Sequence, residues 1–197
     1  MNNADKFAGL IAAPFAPMDS KGELVYDIIP AYHDSLVKNL VAGAFINGST
    51  GEGVSLTTGE KKTITEAWAD CNRDQKKLKL ISLVGGTSWK ECAELALHAR
   101  ETGMDAIAVI APYYFKPGRV EALAEFVALV GQSVIDMPVF FYHIPVLTGV
   151  HLPMIDFLRA ISGKLPNFAG IKYTHEDFMD FQSCLNYDGG RYDMLWG

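Results

Sequence analysis

Short apolar segments rich in β-branched and aromatic residues recur along the chain. Their apolar positions are nearly continuous rather than alternating, which is typical of strands buried on both faces of a parallel sheet. The seven segments begin at Gly9, Gly43, Leu78, Asp105, Pro138, Phe168 and Tyr192. Their average spacing of about 30 residues matches a repeated strand–helix unit. The pattern therefore predicts an α/β protein.

The intervals between these segments carry the spacing of amphipathic helices. In three of them the apolar residues fall at i, i+3, i+4 and i+7, which is one face of a helix. These residues are Ile64, Ala67, Trp68 and Cys71; Cys92, Leu95, Ala96 and Ala99; and Leu123, Phe126, Val127 and Val130. Thr57 with Glu60, and Ser88 with Glu91, predict capping boxes at two helix starts. Gly103 is expected to end the third helix.

Seven strands alternating with six helices fit two architectures, a doubly wound open sheet and a (β/α)8 barrel. No Gly-x-Gly-x-x-Gly motif follows the first segment, which weakens the nucleotide-binding version of the open sheet. A barrel of this kind typically needs about 250 residues. The chain has 197, so a barrel would stop after about its seventh strand. In either case we expect one domain spanning residues 1–197.

Composition narrows the function classes. A net charge of −6 without a basic block argues against a nucleic-acid surface. The longest apolar run contains a proline and is too short for a membrane-spanning helix, and the first residues lack a signal-peptide pattern, so we expect a cytoplasmic protein. The three cysteines show no Cys-x-x-Cys spacing and lie on predicted apolar helix faces, which favours reduced thiols. The histidines show no metal-ligand spacing, so no metal site is expected.

The segment INGSTGEG, residues 46–53, follows the second predicted strand. Glycines flank Ser49 and Thr50, so the backbone can turn sharply and present N–H groups beside two hydroxyls. Such a turn suits a small anion. The lysine of a phosphate-binding P-loop is absent, which favours a carboxylate as the anion. An ordinary Gly-Ser turn would explain these residues equally well if they stood alone.

Tyr142 and Lys172 are predicted to end the fifth and sixth strands, about 30 residues apart. They are therefore expected on neighbouring parallel strands, about 4.8 Å apart. A packed tyrosine and a lysine reaching solvent are the common roles of such residues. A desolvated lysine, however, has a lowered pKa and can attack a ketone to form a Schiff base. His143 should point to the opposite side of the strand and be structural.

Barrel active sites lie at the carboxyl ends of the strands, where all three motifs fall. An anion-binding turn, a phenol and an amine that converge there would suit a 2-keto acid, which presents a carboxylate, a ketone and a proton to be moved. The segments GSTGE, YHIPVLTGV and GIKYT, in this order and spacing, resemble the class I pyruvate-dependent aldolases of the dihydrodipicolinate synthase family. Within that family the chain is most similar to the branch that cleaves N-acetylneuraminate. The resemblance runs from Gly9 to Gly197 and favours the (β/α)8 TIM barrel, cut after about the seventh strand.

The resemblance implies a role for each candidate residue. Lys172 would form the Schiff base with N-acetylneuraminate, and Tyr142 would carry the proton as N-acetylmannosamine and pyruvate form. The pyruvoyl carboxylate would be held by Ser49 and Thr50. Thr174 and Gly197 match two further positions that contact the substrate in the family. No cofactor or metal is implied, and relatives usually form homotetramers. Tyr114 matches an aromatic residue near the site that often reaches towards a neighbouring subunit, and a role of Tyr114 in the core or at an interface is an equal alternative.

Three alternatives remain open. Dihydrodipicolinate synthase shares the lysine but usually carries an arginine where this chain has Leu147, and a 2-keto-3-deoxy sugar acid aldolase is harder to exclude. The third alternative is a truncated, non-catalytic form that associates with full-length subunits. Family members continue for about a hundred residues past Gly197. An unclosed barrel would leave strand edges unpaired, so we expect poor solubility or partial unfolding of these 197 residues alone.

Overall fold

The computed structural model describes residues 6–74 and 76–197. The first five residues, on which the signal-peptide prediction partly rests, lie outside the described part. The chain divides into two compact units. We call Phe7–Leu83 with Leu97–Ile107 the N-terminal unit, and Val84–Ala96 with Ala108–Gly197, which also includes Lys6, the C-terminal unit. The expectation of a single domain stays a prediction.

The N-terminal unit is built from parallel strands and their connecting helices. Its elements are β1 (Ile11–Ala12), α1 (Ile29–Lys38), β2 (Gly43–Ile46), α2 (Thr58–Asn72) and β3 (Lys79–Leu83), followed by the end of α3 (Trp89–Thr102) and the start of β4 (Ala106–Ile110). The strands lie in the order β1, β2, β3, β4. In register, Gly43 pairs with both Ile11 and Lys79. Phe45, Ile81 and Ile107 are fully buried in the strands, as expected for a sheet covered on both faces.

The C-terminal unit continues the same repeat. Its elements are the start of α3, the rest of β4, α4 (Val120–Gly131), β5 (Val139–His143), α5 (Pro145–Thr148), α6 (Met154–Ser162), β6 (Phe168–Tyr173), α7 (Phe178–Asn186) and β7 (Asp193–Trp196). The strands lie in the order β4, β5, β6, β7, and both β5 and β7 are parallel to β6. Phe140, Phe141 and Ile171 of the strands and Phe157 of α6 form part of its core.

Local sequence explains where the helices begin and end. At the start of α2, Thr57 and Glu60 form the predicted capping box, which satisfies free N–H groups of the first turn. At the start of α3, the Ser88 hydroxyl accepts a hydrogen bond from the Glu91 N–H at 3.4 Å. Gly103 follows the last residue of α3 and has a φ of 88°. The helix ends here because this left-handed conformation costs glycine little free energy.

All seven predicted strand positions are confirmed, and helices fill all six intervals. The three cysteines are free thiols, as predicted. None of the helices in the described residues combines the length and apolar character that a membrane-spanning helix needs. Within residues 6–74 and 76–197, no three His, Cys, Asp or Glu side chains cluster as a metal site would require.

Candidate active site

Lys172 and Tyr142 are paired across strands β5 and β6. Their Cα atoms are register partners in the parallel ladder, so the two side chains lie on the same face of the sheet. The Lys172 Nζ lies over the Tyr142 ring, 4.2 Å from its centroid. Each residue precedes the last residue of its strand, rather than ending the strand as predicted. The predicted neighbour relationship between amine and phenol is confirmed.

Burial changes the ionisation of Lys172. Removal from water disfavours the ammonium and lowers the pKa of Lys172 from 10.5 to about 8. An amine with this pKa is neutral in about one molecule in ten at pH 7, compared with roughly one in several thousand for an ordinary lysine. The neutral amine is the nucleophilic form. Tyr142 is 3% exposed, and its ring lies against the amine of the half-buried Lys172.

Thr174 and Gly197 lie beside the same amine. A Cβ atom added to Gly197 would be 3.5 Å from Lys172 Cε and 3.5 Å from Thr174 Oγ1. The Gly197 N–H donates to the Tyr173 carbonyl at 3.1 Å, which holds this glycine next to the end of β6. The Thr174 Oγ1 is buried and has no hydrogen-bond partner. A buried hydroxyl without a partner beside the amine is available to a bound ligand.

The opposite face of the same strands has a different character. His143 is the register partner of Tyr173, and their ring centroids are 4.9 Å apart. Burial and the nearby His175 lower the pKa of His143 to about 4. The Tyr173 hydroxyl donates to the Asp180 carboxylate at 2.8 Å. Burial and this hydrogen bond raise the pKa of Tyr173 well above its ordinary value. The prediction that His143 points away from Tyr142 is confirmed.

Ser49 and Thr50 lie in a turn between β2 and α2 of the N-terminal unit. Ser49 is half-buried and Thr50 is exposed. Two main-chain hydrogen bonds close the turn, from the Glu52 N–H to the Ser49 carbonyl and from the Gly53 N–H to the Gly48 carbonyl, both at 3.1 Å. The prediction that these hydroxyls face the same reacting molecule as Lys172 stays a prediction.

Sequence reasoning missed Asn47, the residue before this turn. Asn47 is buried and has a left-handed backbone, with φ of 58°. The Asn-Gly dipeptide that it forms with Gly48 is a turn signal that could have drawn attention to it, because asparagine tolerates this conformation. Its side chain makes the hydrogen bonds that hold the turn to α2.

Two further residues that bear on the predictions follow strands β4 and β5. Tyr114 is 77% exposed and contacts Phe115 edge-to-face, with ring centroids 5.0 Å apart. The alternative that Tyr114 packs in the core is therefore wrong. Leu147, which stands where an arginine would be expected for dihydrodipicolinate synthase, is exposed on α5.

Known proteins resemble the chain along nearly all of its length. An N-acetylneuraminate lyase of Danio rerio is 43% identical over 195 residues, which cover 98% of this chain and 63% of the relative. The solved structure of Proteus mirabilis N-acetylneuraminate lyase superposes with a TM-score of 0.93 at 35% identity, covering 98% of this chain and 64% of that one. A Ruminococcus gnavus sialic acid aldolase, described as a catalytic lysine mutant, superposes with a TM-score of 0.89 at 28% identity, covering 98% and 62%.

The chain thus spans slightly less than two thirds of the length of these relatives. The superpositions confirm the predicted (β/α)8 barrel fold class, of which the described residues form seven strands. The family model of the dihydrodipicolinate synthetase family matches residues 6–196. The chain belongs to the dihydrodipicolinate synthetase family.

Proposed function

We propose that the protein is a Schiff-base aldolase that cleaves N-acetylneuraminate to N-acetylmannosamine and pyruvate, and that catalyses the reverse reaction. The observation that supports the proposal most strongly is the pairing of Lys172 with Tyr142. The amine has a pKa lowered to about 8 by burial and lies 4.2 Å from the centroid of the phenol ring. N-acetylneuraminate lyases at about 40% identity supply the substrate class.

Lys172 is the proposed nucleophile. Its neutral amine adds to the C2 carbonyl of the open-chain sugar acid, and loss of water leaves an iminium that joins C2 to Nζ. The iminium accepts the electron pair of the C3–C4 bond when that bond breaks, and becomes an enamine. Since the iminium is itself the electron sink, the proposal requires no metal ion or organic cofactor.

Tyr142 is the proposed acid–base residue. Its hydroxyl relays a proton from C4 to C3: the phenol oxygen accepts the proton of the C4 hydroxyl as C4 becomes the aldehyde of N-acetylmannosamine, and the phenol's own proton passes to C3 of the enamine. Hydrolysis of the resulting iminium then releases pyruvate and restores the amine. A positioned acid–base group of this kind contributes about 10²–10⁴-fold to a rate.

The other candidate residues bind the substrate in this proposal. Ser49 and Thr50 hold the carboxylate through hydroxyl and main-chain N–H groups of their turn, which suits a small anion. The unpartnered hydroxyl of Thr174 contacts the bound substrate beside Lys172, where the absence of a side chain at Gly197 leaves room.

We also propose that the protein acts in the cytoplasm and assembles as a homotetramer. Exposed aromatic side chains at Tyr114 and Phe115 support self-association, because contiguous apolar surface commonly marks a protein interface. The described helices include none suited to a membrane.

Reductive trapping tests the proposed nucleophile. Borohydride added with pyruvate should attach pyruvate covalently to the peptide that contains Lys172, as found by mass spectrometry. Lys172→Met should abolish this adduct. Lys164→Met, which removes an exposed amine paired with Glu125, should leave it unchanged. An adduct located on another peptide would refute the assignment of Lys172.

Comparison of substrates tests the proposed reaction. N-acetylneuraminate should be cleaved faster than 2-keto-3-deoxy sugar acids, and condensation of pyruvate with the second substrate of dihydrodipicolinate synthase should be undetectable. The exposed Leu147 supports the last expectation, because a leucine offers no cation to the carboxylate of that second substrate. Faster cleavage of a 2-keto-3-deoxy acid would assign the chain to that sibling activity.

A further inference from the structure

Asn47 has an unusual backbone immediately before the Ser49–Thr50 turn. Its φ of 58° lies in the left-handed region, and Glu52 at the other side of the turn has φ of 52°. Gly53 lies so close that an added Cβ would be 1.8 Å from the Asn47 carbonyl oxygen. The turn therefore begins and ends against the main chain of Asn47.

The side chain of Asn47 connects this turn to helix α2. Its Nδ2 donates to the Lys61 carbonyl at 3.3 Å and to Thr65 Oγ1 at 3.2 Å. Thr65 Oγ1 in turn donates to the same Lys61 carbonyl at 2.8 Å. Because Lys61 and Thr65 lie on consecutive turns of α2, the amide fixes the turn at two points of a rigid helix.

Asn47 lowers the stability of the fold in two ways. A left-handed conformation costs free energy at any residue that has a Cβ atom, although less at asparagine. Its Oδ1 is buried without a hydrogen-bond partner, which costs the desolvation of an acceptor. A strained, incompletely satisfied residue beside a candidate ligand turn is expected where geometry matters more than stability.

We propose that Asn47 is a positioning residue that sets the geometry of the carboxylate-binding turn, and with it the preference for keto acids over neutral ketones. Asn47 acts through Ser49 and Thr50 and does not itself touch the substrate. The inference rests on the proposed function, because it takes the carboxylate as the ligand of that turn.

The test compares pyruvate with acetone, a ketone without a carboxylate. Both are trapped on Lys172 with borohydride, and the concentration for half-maximal labelling of its peptide is measured by mass spectrometry. Asn47→Gly keeps the left-handed backbone accessible while it removes the amide. Thr65→Val keeps Asn47 and removes the hydroxyl that accepts from its amide, together with the contacts of that hydroxyl to the Lys61 carbonyl and to Ser82 Oγ. Thermal unfolding of each variant is recorded alongside.

Asn72→Ala is the matched control. Asn72 is 6% exposed, compared with 4% for Asn47, and stands in the same unit at the far end of α2. Its amide donates to the Leu78 carbonyl at 2.8 Å and accepts from the Leu78 N–H at 3.0 Å. Its loss should lower the thermal stability without changing the ratio of the pyruvate and acetone concentrations.

Asn47→Gly should raise the pyruvate concentration needed for half-maximal labelling about tenfold, which is the factor expected when a hydrogen bond to a carboxylate is weakened. The acetone concentration needed for half-maximal labelling should stay constant. Thr65→Val should raise the pyruvate concentration needed for half-maximal labelling about threefold. This variant tests the role of Asn47 if Asn47→Gly does not fold. If the ratio of the pyruvate and acetone concentrations is unchanged in a folded variant, the positioning role of Asn47 is overturned, but the proposed function is not. Absence of pyruvate labelling at Lys172 in the unaltered chain overturns the proposed function, and the inference with it.

Discussion

Strands β5 and β6 carry an ionisable pair on each face, and the two faces use the same physical effect differently. On one face Tyr142 is paired with Lys172, and on the other His143 is paired with Tyr173. Burial favours the neutral form of both basic groups, lowering the pKa of Lys172 to about 8 and that of His143 to about 4. The lysine thereby gains a nucleophilic form near neutral pH. The histidine loses its usual change of charge near neutral pH.

The two tyrosines also differ in the role of their partners. The Tyr173 hydroxyl is committed to the Asp180 carboxylate, which also accepts hydrogen bonds from the N–H groups of Met154 and Ile155 at the start of α6. That face is therefore a structural network that joins β6, α6 and α7. Because side chains alternate along a strand, a one-residue shift in register would exchange the two faces. The register of the strands thus decides which pair can react.

The largest expected difference between the faces concerns the two phenols. Tyr142→Phe should lower the rate of N-acetylneuraminate cleavage by about 10²–10⁴-fold, because the proton carrier is lost. Pyruvate trapping on Lys172 should change by only a few-fold, since the phenylalanine ring can still cover the amine. Steady-state kinetics and mass spectrometry measure the two effects.

Tyr173→Phe is the corresponding change on the other face. It removes the hydrogen bond to Asp180 and should lower the free energy of unfolding by about 1–2 kcal/mol, with cleavage nearly unaffected. Denaturant unfolding measures this loss. If the two variants impaired cleavage equally, the assignment of the phenols to a catalytic and a structural face would be wrong.

The pH dependence of trapping should show the lowered pKa of Lys172. Below about pH 7 the initial rate of pyruvate trapping with cyanoborohydride should rise by about tenfold per pH unit, as the neutral fraction of the amine grows. Above about pH 8 it should level off, because the pKa of Lys172 in the folded protein is about 8. A rate that rises steadily towards pH 10, as for a lysine in water, would contradict the desolvation of this amine.

Much of the fold could be predicted because repeat spacing and apolar runs carry long-range information in a parallel α/β protein. The first strand shows that an apolar run predicts the position of a strand better than its length. The apolar run from Gly9 predicts a longer strand than the two residues Ile11 and Ala12. Gly9 has a φ of 92°, and Pro14 has no N–H to donate to a ladder, so the extended pairing is brief. Helix α5 has a single turn, which is too short to produce a helical period.

The site divides along similar lines. Lys172 and Tyr142 could be predicted as neighbours because one repeat separates them in the sequence, and one ladder step separates them in the sheet. The buried Thr174 hydroxyl and the contacts of Asn47 depend on which groups surround them after folding. No local pattern shows that an acceptor has lost its partner. Such residues require the three-dimensional structure.

A last expected difference between the faces concerns His143 and the pH dependence of the stability of the structural face. The histidine is buried among His175, His151 and the carboxylates of Asp180 and Asp177, and its pKa is lowered to about 4 mainly by burial and by His175. In the unfolded chain the pKa of a histidine is about 6.5. Between these two values the unfolded state binds more protons than the folded state. The contribution of His143 to the free energy of unfolding is therefore fully present above about pH 6.5 and is lost as the pH falls towards 4.

His143→Phe should remove this contribution, because phenylalanine fills the same space between Phe141 and Tyr173 without a titrating group. The unaltered chain should lose on the order of 3 kcal/mol more unfolding free energy than the variant between pH 6.5 and pH 4. Denaturant unfolding at a series of pH values measures the difference, and pyruvate trapping at pH 8 should stay unchanged. Parallel stability curves for the two proteins would show that His143 already has access to water. Burial would then favour the neutral form of Lys172 but not that of His143, so the two faces would not share one physical effect.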